Sequence, residues 1–209
     1  MTVDGQVSVV QTGAANVASV CAALRRIGAQ PRLTRSAEEL RTATPAILPG
    51  VGAFGPAMRR LADNGLDDAL RERVRAGYST CAICLGMQLF CDESEESPGV
   101  SGLGAITGHV ARFPDAVRVP QLGWNLIETD AGCRLLRGGY AYFANSYRLE
   151  ASPPGWAGAR ATHGAPFVAA LERDGILACQ FHPELSGRWG LDLLRRWLTG
   201  EERKDGGGC

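Results

Sequence analysis

An excess of charge of either sign is what this sequence most plainly lacks: Lys plus Arg and Asp plus Glu both number 22. The basic surface that usually marks a nucleic-acid partner is therefore not expected. Nor is there a run of about 18 apolar residues that could cross a bilayer, so no membrane association is expected. The N-terminus lacks the charged and apolar segments of an export signal, and the cytoplasm is the expected location. Histidine is scarce. His109, His163 and His182 are all there are, so chemistry that needs an imidazole has few places to sit. No repeat, long linker or low-complexity tract interrupts residues 1–200, which are expected to form one domain. Residues 201–209 carry charges and glycines and read as a flexible tail.

What is present is ordinary for a folded domain of 209 residues: 45% hydrophobic and 21% charged, enough to bury a sizeable core. The seven cysteines, in a chain with no export signal, are expected as free thiols rather than a disulfide framework. Cys21, in a helical pattern, and Cys179, in a strand pattern, read as small core residues. Cys209 falls in the tail.

Residues 6–11 are a β-branched run, followed by a helical pattern over 16–27 that stops at Gly28. A second strand is expected over 31–34. Ser36 has the position of an N-cap, with Glu39 three residues on completing a capping box. A third strand, 46–48, runs into Pro49-Gly50-Val51-Gly52, and one helical stretch is expected over 56–76. Residues 79–83 form another strand that turns sharply at Cys84-Leu85-Gly86 into a helix near Met87. Short strand-like pieces follow at 109–113, 124–128, 140–147 and 167–171. An apolar strand over 176–181 leads to His182-Pro183-Glu184, and residues 190–198 form a closing amphipathic helix. The expected fold is α/β: a mostly parallel, doubly wound sheet with flanking helices and an antiparallel extension.

In such sheets ligands gather at the carboxyl ends of the strands. Residues 49–52, 81–88 and 182–184 each follow a strand directly. A cysteine at a strand-to-helix turn meets free backbone N–H groups that favour its thiolate. Gly86 would permit the sharp turn, and the Leu85 N–H would point at a reacting carbonyl oxygen. The plain alternative is a buried cysteine ending a core strand. Cys81 and Cys84 also form a C-x-x-C pair. A redox or zinc reading is disfavoured because Cys81 lies inside an apolar strand and no further ligands are suitably spaced. His182 sits at a strand end, where Pro183 should deny the backbone a helix start. Glu184, two residues on along an extended segment, would hold one imidazole tautomer. His109 and His163 read as structural. The Gly50–Gly52 loop matches no phosphate-binding spacing; its backbone would complete an oxyanion hole, or be a simple turn.

Taken in order, these segments resemble the class I (triad) glutamine amidotransferases, and most closely the glutaminase subunit of imidazole glycerol phosphate synthase. The matching segments are Pro49-Gly50-Val51-Gly52-Ala53-Phe54, Ile83-Cys84-Leu85-Gly86-Met87-Gln88-Leu89, Ser94-Glu95-Glu96, Gly123-Trp124-Asn125, Tyr142-Phe143 with Ser146-Tyr147, and Gln180-Phe181-His182-Pro183-Glu184. The resemblance implies Cys84 as nucleophile, His182 as general base and then acid, and Glu184 as its orienter. It implies backbone oxyanion donors from Gly50, Val51, Gly52 and Leu85, and glutamine contacts at Gln88, Glu96, Ser146 and Tyr147. No cofactor and no metal are implied. Ammonia would pass to a (β/α)₈ cyclase partner, with Asn16, Gln121, Trp124 and Leu185 at the interface.

Several positions depart from the pattern. Thr12-Gly13-Ala14-Ala15-Asn16 stands where the family usually has Tyr-Gly-x-Gly-Asn. Gln121-Leu122 stands for the His-Met before Gly-Trp-Asn, Ala144-Asn145 for Val-His before Ser-Tyr, and Leu185 for a Lys after His-Pro-Glu. None removes a triad member, and several lie toward the expected partner. Three further readings stand beside the main one. The chain could be a diverged paralogue feeding ammonia to another synthase, a hydrolase of the gamma-glutamyl hydrolase type, or a non-catalytic scaffold keeping the fold.

Overall fold

The structure, a computed structural model, describes residues 5–11 and 17–201. The Thr12–Asn16 departure and most of the expected tail lie outside the described residues. Along the chain run β1 (Gln6–Val10), α1 (Val17–Arg26), β2 (Gln30–Thr34), α2 (Ala37–Leu40), β3 (Ala46–Gly50), α3 (Phe54–Asp63), α4 (Leu66–Arg75), β4 (Thr80–Cys84) and α5 (Leu85–Phe90). There follow β5 (Glu93–Ser94), β6 (His109–Arg112), β7 (Gln121–Thr129), β8 (Gly139–Asn145), β9 (Tyr147–Leu149), β10 (Ala157–His163), β11 (Ala165–Arg173) and β12 (Ile176–Cys179). A 3₁₀ turn, Pro183–Leu185, and α6 (Gly187–Thr199) close the described chain.

Nine strands form one sheet in the order β2-β1-β3-β4-β12-β11-β10-β7-β8, and β5-β6-β9 form a small second sheet. The pairings β1/β2, β1/β3, β3/β4 and β4/β12 are parallel. Those of β12/β11, β11/β10, β10/β7 and β7/β8 are antiparallel, so the extension is as large as the parallel half. The reason is legible in the side chains. Every residue of β3, β4 and β12 is buried, as a sheet covered on both faces requires. By contrast β7 and β8 alternate between less and more exposed residues, as strands with one open face do. Leu122, Trp124, Leu126 and Tyr140 are left on that open face, at 66, 57, 45 and 61% exposure.

Successive strand residues feed two cores. Ile47, Cys81 and Ile83 pack with Val20, Leu24, Leu193 and Trp197 from α1 and α6. Leu48 and Ala82 pack with Phe54, Met58, Leu61 and Leu70 from α3 and α4. Each such side chain contributes about 1.5–3 kcal/mol by leaving water. Arg73 is the exception, at 1% exposure. It donates to Thr80 Oγ1 and to the carbonyls of Leu40, Thr42, Thr44 and Ser79. Burial pushes its guanidinium down to about 10, so it remains charged at neutral pH and straps the entries of β3 and β4 together.

Four local expectations are corrected. The helix expected over 56–76 is two helices, because Gly65 takes the left-handed conformation (φ 63°) between them, a step glycine makes without a Cβ penalty. The capping box is half made: Ser36 Oγ accepts the Glu39 N–H at 3.3 Å, while the Glu39 carboxylate pairs with Arg32 at 2.8 Å. The piece expected over 140–147 divides at Ser146, where the chain leaves the large sheet for the small one. Strand β10 was not expected at all. Ala-Gly-Ala-Arg-Ala lacks β-branched side chains, and its place is set by pairing with β11.

Candidate active site

Strand β4 lies between β3 and β12 and is parallel to both, so three carboxyl ends converge. Gly50 is in register with Cys84. The unusual backbone of the turn falls on Cys84 rather than on Gly86. Cys84 itself has φ 53° and ψ −110°, a conformation that costs a non-glycine residue about 1–3 kcal/mol. Gly86 serves a different purpose. A Cβ there would sit 2.1 Å from the Leu48 carbonyl oxygen, and one on Gly50 would sit 2.7 Å from the Gly86 nitrogen. Glycine at both positions lets β3 press against the turn. Helix α5 is only six residues long, too short to set a long helix dipole against the sulfur.

Three residues beyond β12 stands His182, extended (φ −101°, ψ 94°). Pro183 does not bar a helix here; it opens the 3₁₀ turn, since the first position of a helix needs no N–H. That turn, not an extended segment, brings Glu184 back: its Oε1 lies 2.9 Å from His182 Nδ1. The His182 N–H donates to the Tyr142 carbonyl at 2.9 Å. The Ser186 hydroxyl donates to the His182 carbonyl (2.6 Å) and accepts the Tyr142 N–H (3.0 Å). The His-Pro-Glu segment is thus hung from β8.

With Nδ1 held by Glu184, the ring's other nitrogen is the one left to hydrogen-bond the Cys84 sulfur. Burial pushes the imidazole down, but the hydrogen bonds and charges of Cys84 and Glu184 outweigh it and carry His182 up to about 10. Near neutral pH the ring therefore holds its proton against the sulfur. The remaining described cysteines are free and buried, as Cys84 is, but none of them lines the cavity that Cys84 lines. Burial pushes Cys91 and Cys133 up to about 12 and also raises Cys21 and Cys179. Cys81 is fully buried in the core and hydrogen-bonds Cys179, away from any C-x-x-C chemistry with Cys84. Among the described residues no group of three or more His, Cys, Asp or Glu could hold a metal ion.

A cavity of about 330 Å³ opens over the sulfur, lined by Cys84 and His182 together with Gln88, Glu96, Ser146 and Tyr147. Val51, Gly52 and Leu85 also line it, while Gly50 lies deeper, against Leu85 and Gly86. Glu96 accepts the Phe54 N–H at 2.7 Å and so holds the start of α3, just after the Val51–Gly52 turn. The Gln88 nitrogen is committed to the Tyr147 carbonyl and to Gln180 Oε1. Its oxygen is therefore the atom it can offer, an acceptor beside an acidic residue, suited to an ammonium group.

Sequence reasoning gave no role to Gln180 or Ala144. Gln180 Nε2 lies 3.7 Å from Cys84 Sγ, and Ala144 lines the cavity with its carbonyl 4.0 Å from the sulfur. The signal for Gln180 was its place two residues before His182. Of the positions expected at an interface, Trp124 and Leu185 are exposed, Gln121 is buried at 5%, and Asn16 lies outside the described residues. His109 and His163 lie away from the cavity. The first pairs with Glu93 at 3.2 Å, and the second meets the Arg118 carbonyl at 2.8 Å and the edge of Phe113.

Among solved structures, one described as a glutamine amidotransferase superposes with a TM-score of 0.74 at 22% identity, covering 92% of this chain and 97% of that one. This likeness concerns the fold. The imidazole glycerol phosphate synthase subunit HisH of Symbiobacterium thermophilum is 40% identical over 196 residues, covering 92% of both chains. The HisH subunit of Methanothermobacter thermautotrophicus is 42% identical over 195 residues, covering 92% of this chain and 97% of that one. The profile of the family glutamine amidotransferase class-I matches residues 8–199, and with the strained cysteine at the end of β4 and the imidazole and carboxylate just beyond β12, the chain belongs to that family.

Proposed function

We propose that this chain is the glutaminase subunit of an imidazole glycerol phosphate synthase, acting in the cytoplasm in histidine biosynthesis through one domain spanning residues 1–200. The observation that carries the reading is His182, bonded to Glu184 at 2.9 Å and lining one cavity with the Cys84 sulfur. The names of the relatives at 40 and 42% identity support the pathway.

Glutamine enters the cavity with its α-ammonium toward Glu96 and the Gln88 oxygen. As its thiolate, beside the protonated His182 ring, the Cys84 sulfur attacks the side-chain amide carbon. Its oxygen becomes an oxyanion facing the backbone N–H of Leu85 and those of the Val51–Gly52 turn. The imidazolium gives its proton to the amide nitrogen, the C–N bond breaks, and ammonia leaves a thioester on Cys84. Neutral His182 then takes a proton from water. The resulting hydroxide adds to the thioester carbon, and glutamate leaves as the sulfur regains its negative charge beside a protonated His182. The Glu184 carboxylate fixes the tautomer and stabilises the imidazolium throughout.

The ammonia is delivered to a (β/α)₈ cyclase subunit seated on the open face of β7 and β8, where Leu122, Trp124 and Tyr140 are exposed, as Leu185 is. Because β8 also suspends His182 through Tyr142, a partner on that face bears on the catalytic segment, and low activity without the partner is expected. The exposed Leu185, where the family has a lysine, favours a second reading in which the partner is a different synthase. Incubation with glutamine and the histidine-pathway cyclase tests both. Glutamate release by the wild-type pair that disappears in Cys84→Ala supports the proposal. Wild-type turnover in Cys84→Ala would reject the nucleophile, and no association with that cyclase would favour the second reading.

A further inference from the structure

Behind the Cys84 sulfur runs a chain of buried amide contacts. Gln88 Nε2 donates to the Tyr147 carbonyl at 3.2 Å and to Gln180 Oε1 at 3.0 Å. Gln180 Nε2 in turn lies 3.7 Å from Cys84 Sγ. Gln180 is fully buried, so its amide is not free to exchange partners with water.

The polarity of this chain is decided at its far end. A peptide carbonyl only accepts, and the Tyr147 oxygen also takes the Asn145 Nδ2 at 3.0 Å. Gln88 must therefore turn its NH₂ toward Tyr147, and the same NH₂ faces Gln180. Gln180 must answer with its oxygen. What remains, pointing at the sulfur, is an N–H donor. Gln180 reaches this position because the backbone continues the strand beyond β12, its N–H donating to the Ala169 carbonyl at 2.9 Å. On an extended segment residues two apart share a side, so Gln180 and His182 approach the same atom.

We propose that Gln180 is a catalytic residue, a fixed hydrogen-bond donor that holds Cys84 as its thiolate, and that Gln88 is the positioning residue that sets its polarity. The role rests on the glutaminase reading for its purpose but not for its geometry. A thiolate offers only acceptor capacity, so a donor that cannot rotate away favours it over the thiol. This contact comes from the core side of the sulfur. It would therefore persist when substrate displaces whatever occupies the cavity and when His182 gives its proton away.

The other titratable groups around the sulfur are His182 in the same cavity with Glu184 paired to its ring, Glu96 and Tyr147 across the cavity, and the Cys81 and Cys179 thiols in the sheet. The test leaves all of them in place. The full chain, without glutamine, is alkylated with iodoacetamide from about pH 5 to about pH 10, Cys84 modification being followed by mass and identified against Cys84→Ala. Gln180→Glu keeps the shape and replaces the donor with an acceptor; Gln180→Met removes it. In both, the midpoint of alkylation is expected to rise by about one pH unit, a roughly tenfold loss of rate below it. Melting measurements should show a folded chain. If both variants fold and keep the wild-type profile, Gln180 is a core spacer and the proposal fails. If both unfold, Gln88→Met decides, because Gln180 is then present but unpolarised: a raised midpoint supports the proposal and an unchanged one overturns it. A wild-type chain inactive on glutamine with its partner would refute the function above, yet would leave this profile fully readable.

Discussion

Gln121 and Asn145 stand directly opposite each other on β7 and β8, both buried, each with an amide oxygen that finds no hydrogen-bond partner among the described residues. They are two of the positions at which the family resemblance leads a histidine to be expected. Side chains opposed in an antiparallel pair have Cβ atoms about 4.5–5.5 Å apart. Two residues 24 positions apart in the chain therefore share one local site. Asn145 also lines the cavity over Cys84, and Gln121 lines a separate cleft beside Trp124. The pair lies between the cavity over Cys84 and the cleft beside Trp124.

The pair should behave as a unit. Gln121→His and Asn145→His each set a ring against an amide, whereas the double variant restores the family's pair. A double-mutant cycle on unfolding free energy is expected to show coupling of about 0.5–3 kcal/mol, the double variant being more stable than the two singles predict. Additivity within about 0.5 kcal/mol would show that the two positions changed independently.

Strain at Cys84 predicts a stability gain at the expense of activity. Glycine tolerates positive φ and alanine does not, so Cys84→Gly should unfold at higher denaturant than Cys84→Ala, by about 1–3 kcal/mol less any loss from glycine's greater unfolded-state freedom. Neither variant should release ammonia from glutamine. Equal stability of the two would mean that the elbow is relaxed at this residue.

His182 should remain an imidazolium well above the ordinary histidine range. Nitrogen chemical shifts of labelled histidine, with His182→Gln to identify the signal, should show the protonated ring at pH 8, between the ordinary 6.5 and about 10. The sign for stability follows. Because the folded value is raised, the contribution of protonated His182 is fully present below about 6.5 and is lost as pH rises toward about 10. The stability advantage of wild type over His182→Gln should shrink across that window. A neutral ring at pH 8 would contradict the ion pair.

Gly86→Ala tests the contact between β3 and the turn. Its methyl group would meet the Leu48 backbone oxygen, which cannot swing aside, so a loss of at least about 1–3 kcal/mol is expected from overpacking, read as a lowered unfolding midpoint. Gly5→Ala, where a Cβ meets nothing within 4 Å, is the control and should unfold with the wild type.

Much of this molecule was legible in the residue order. The apolar runs at β3, β4 and β12, each ending in a chemically marked segment, announced a parallel sheet with its site at the carboxyl ends, because burial on both faces leaves an unbroken apolar signature. Cys84, His182 and Glu184 could be named because strand-to-helix turns and scarce histidines are local features. Asn64-Gly65, which splits α3 from α4, was equally local and could have been read as a break. Tertiary contacts alone decided the rest. Strand β10 exists because β11 and β7 flank it, Pro183 opens a turn that folds Glu184 back onto His182, and Gln180 faces the sulfur because β12 lies beside β4. Gln121 and Asn145 are likewise neighbours only through the pairing of β7 with β8. Residue patterns encode which face of an element is buried; which atoms then meet across elements depends on register and strand order, and those are set by the packing of the whole sheet.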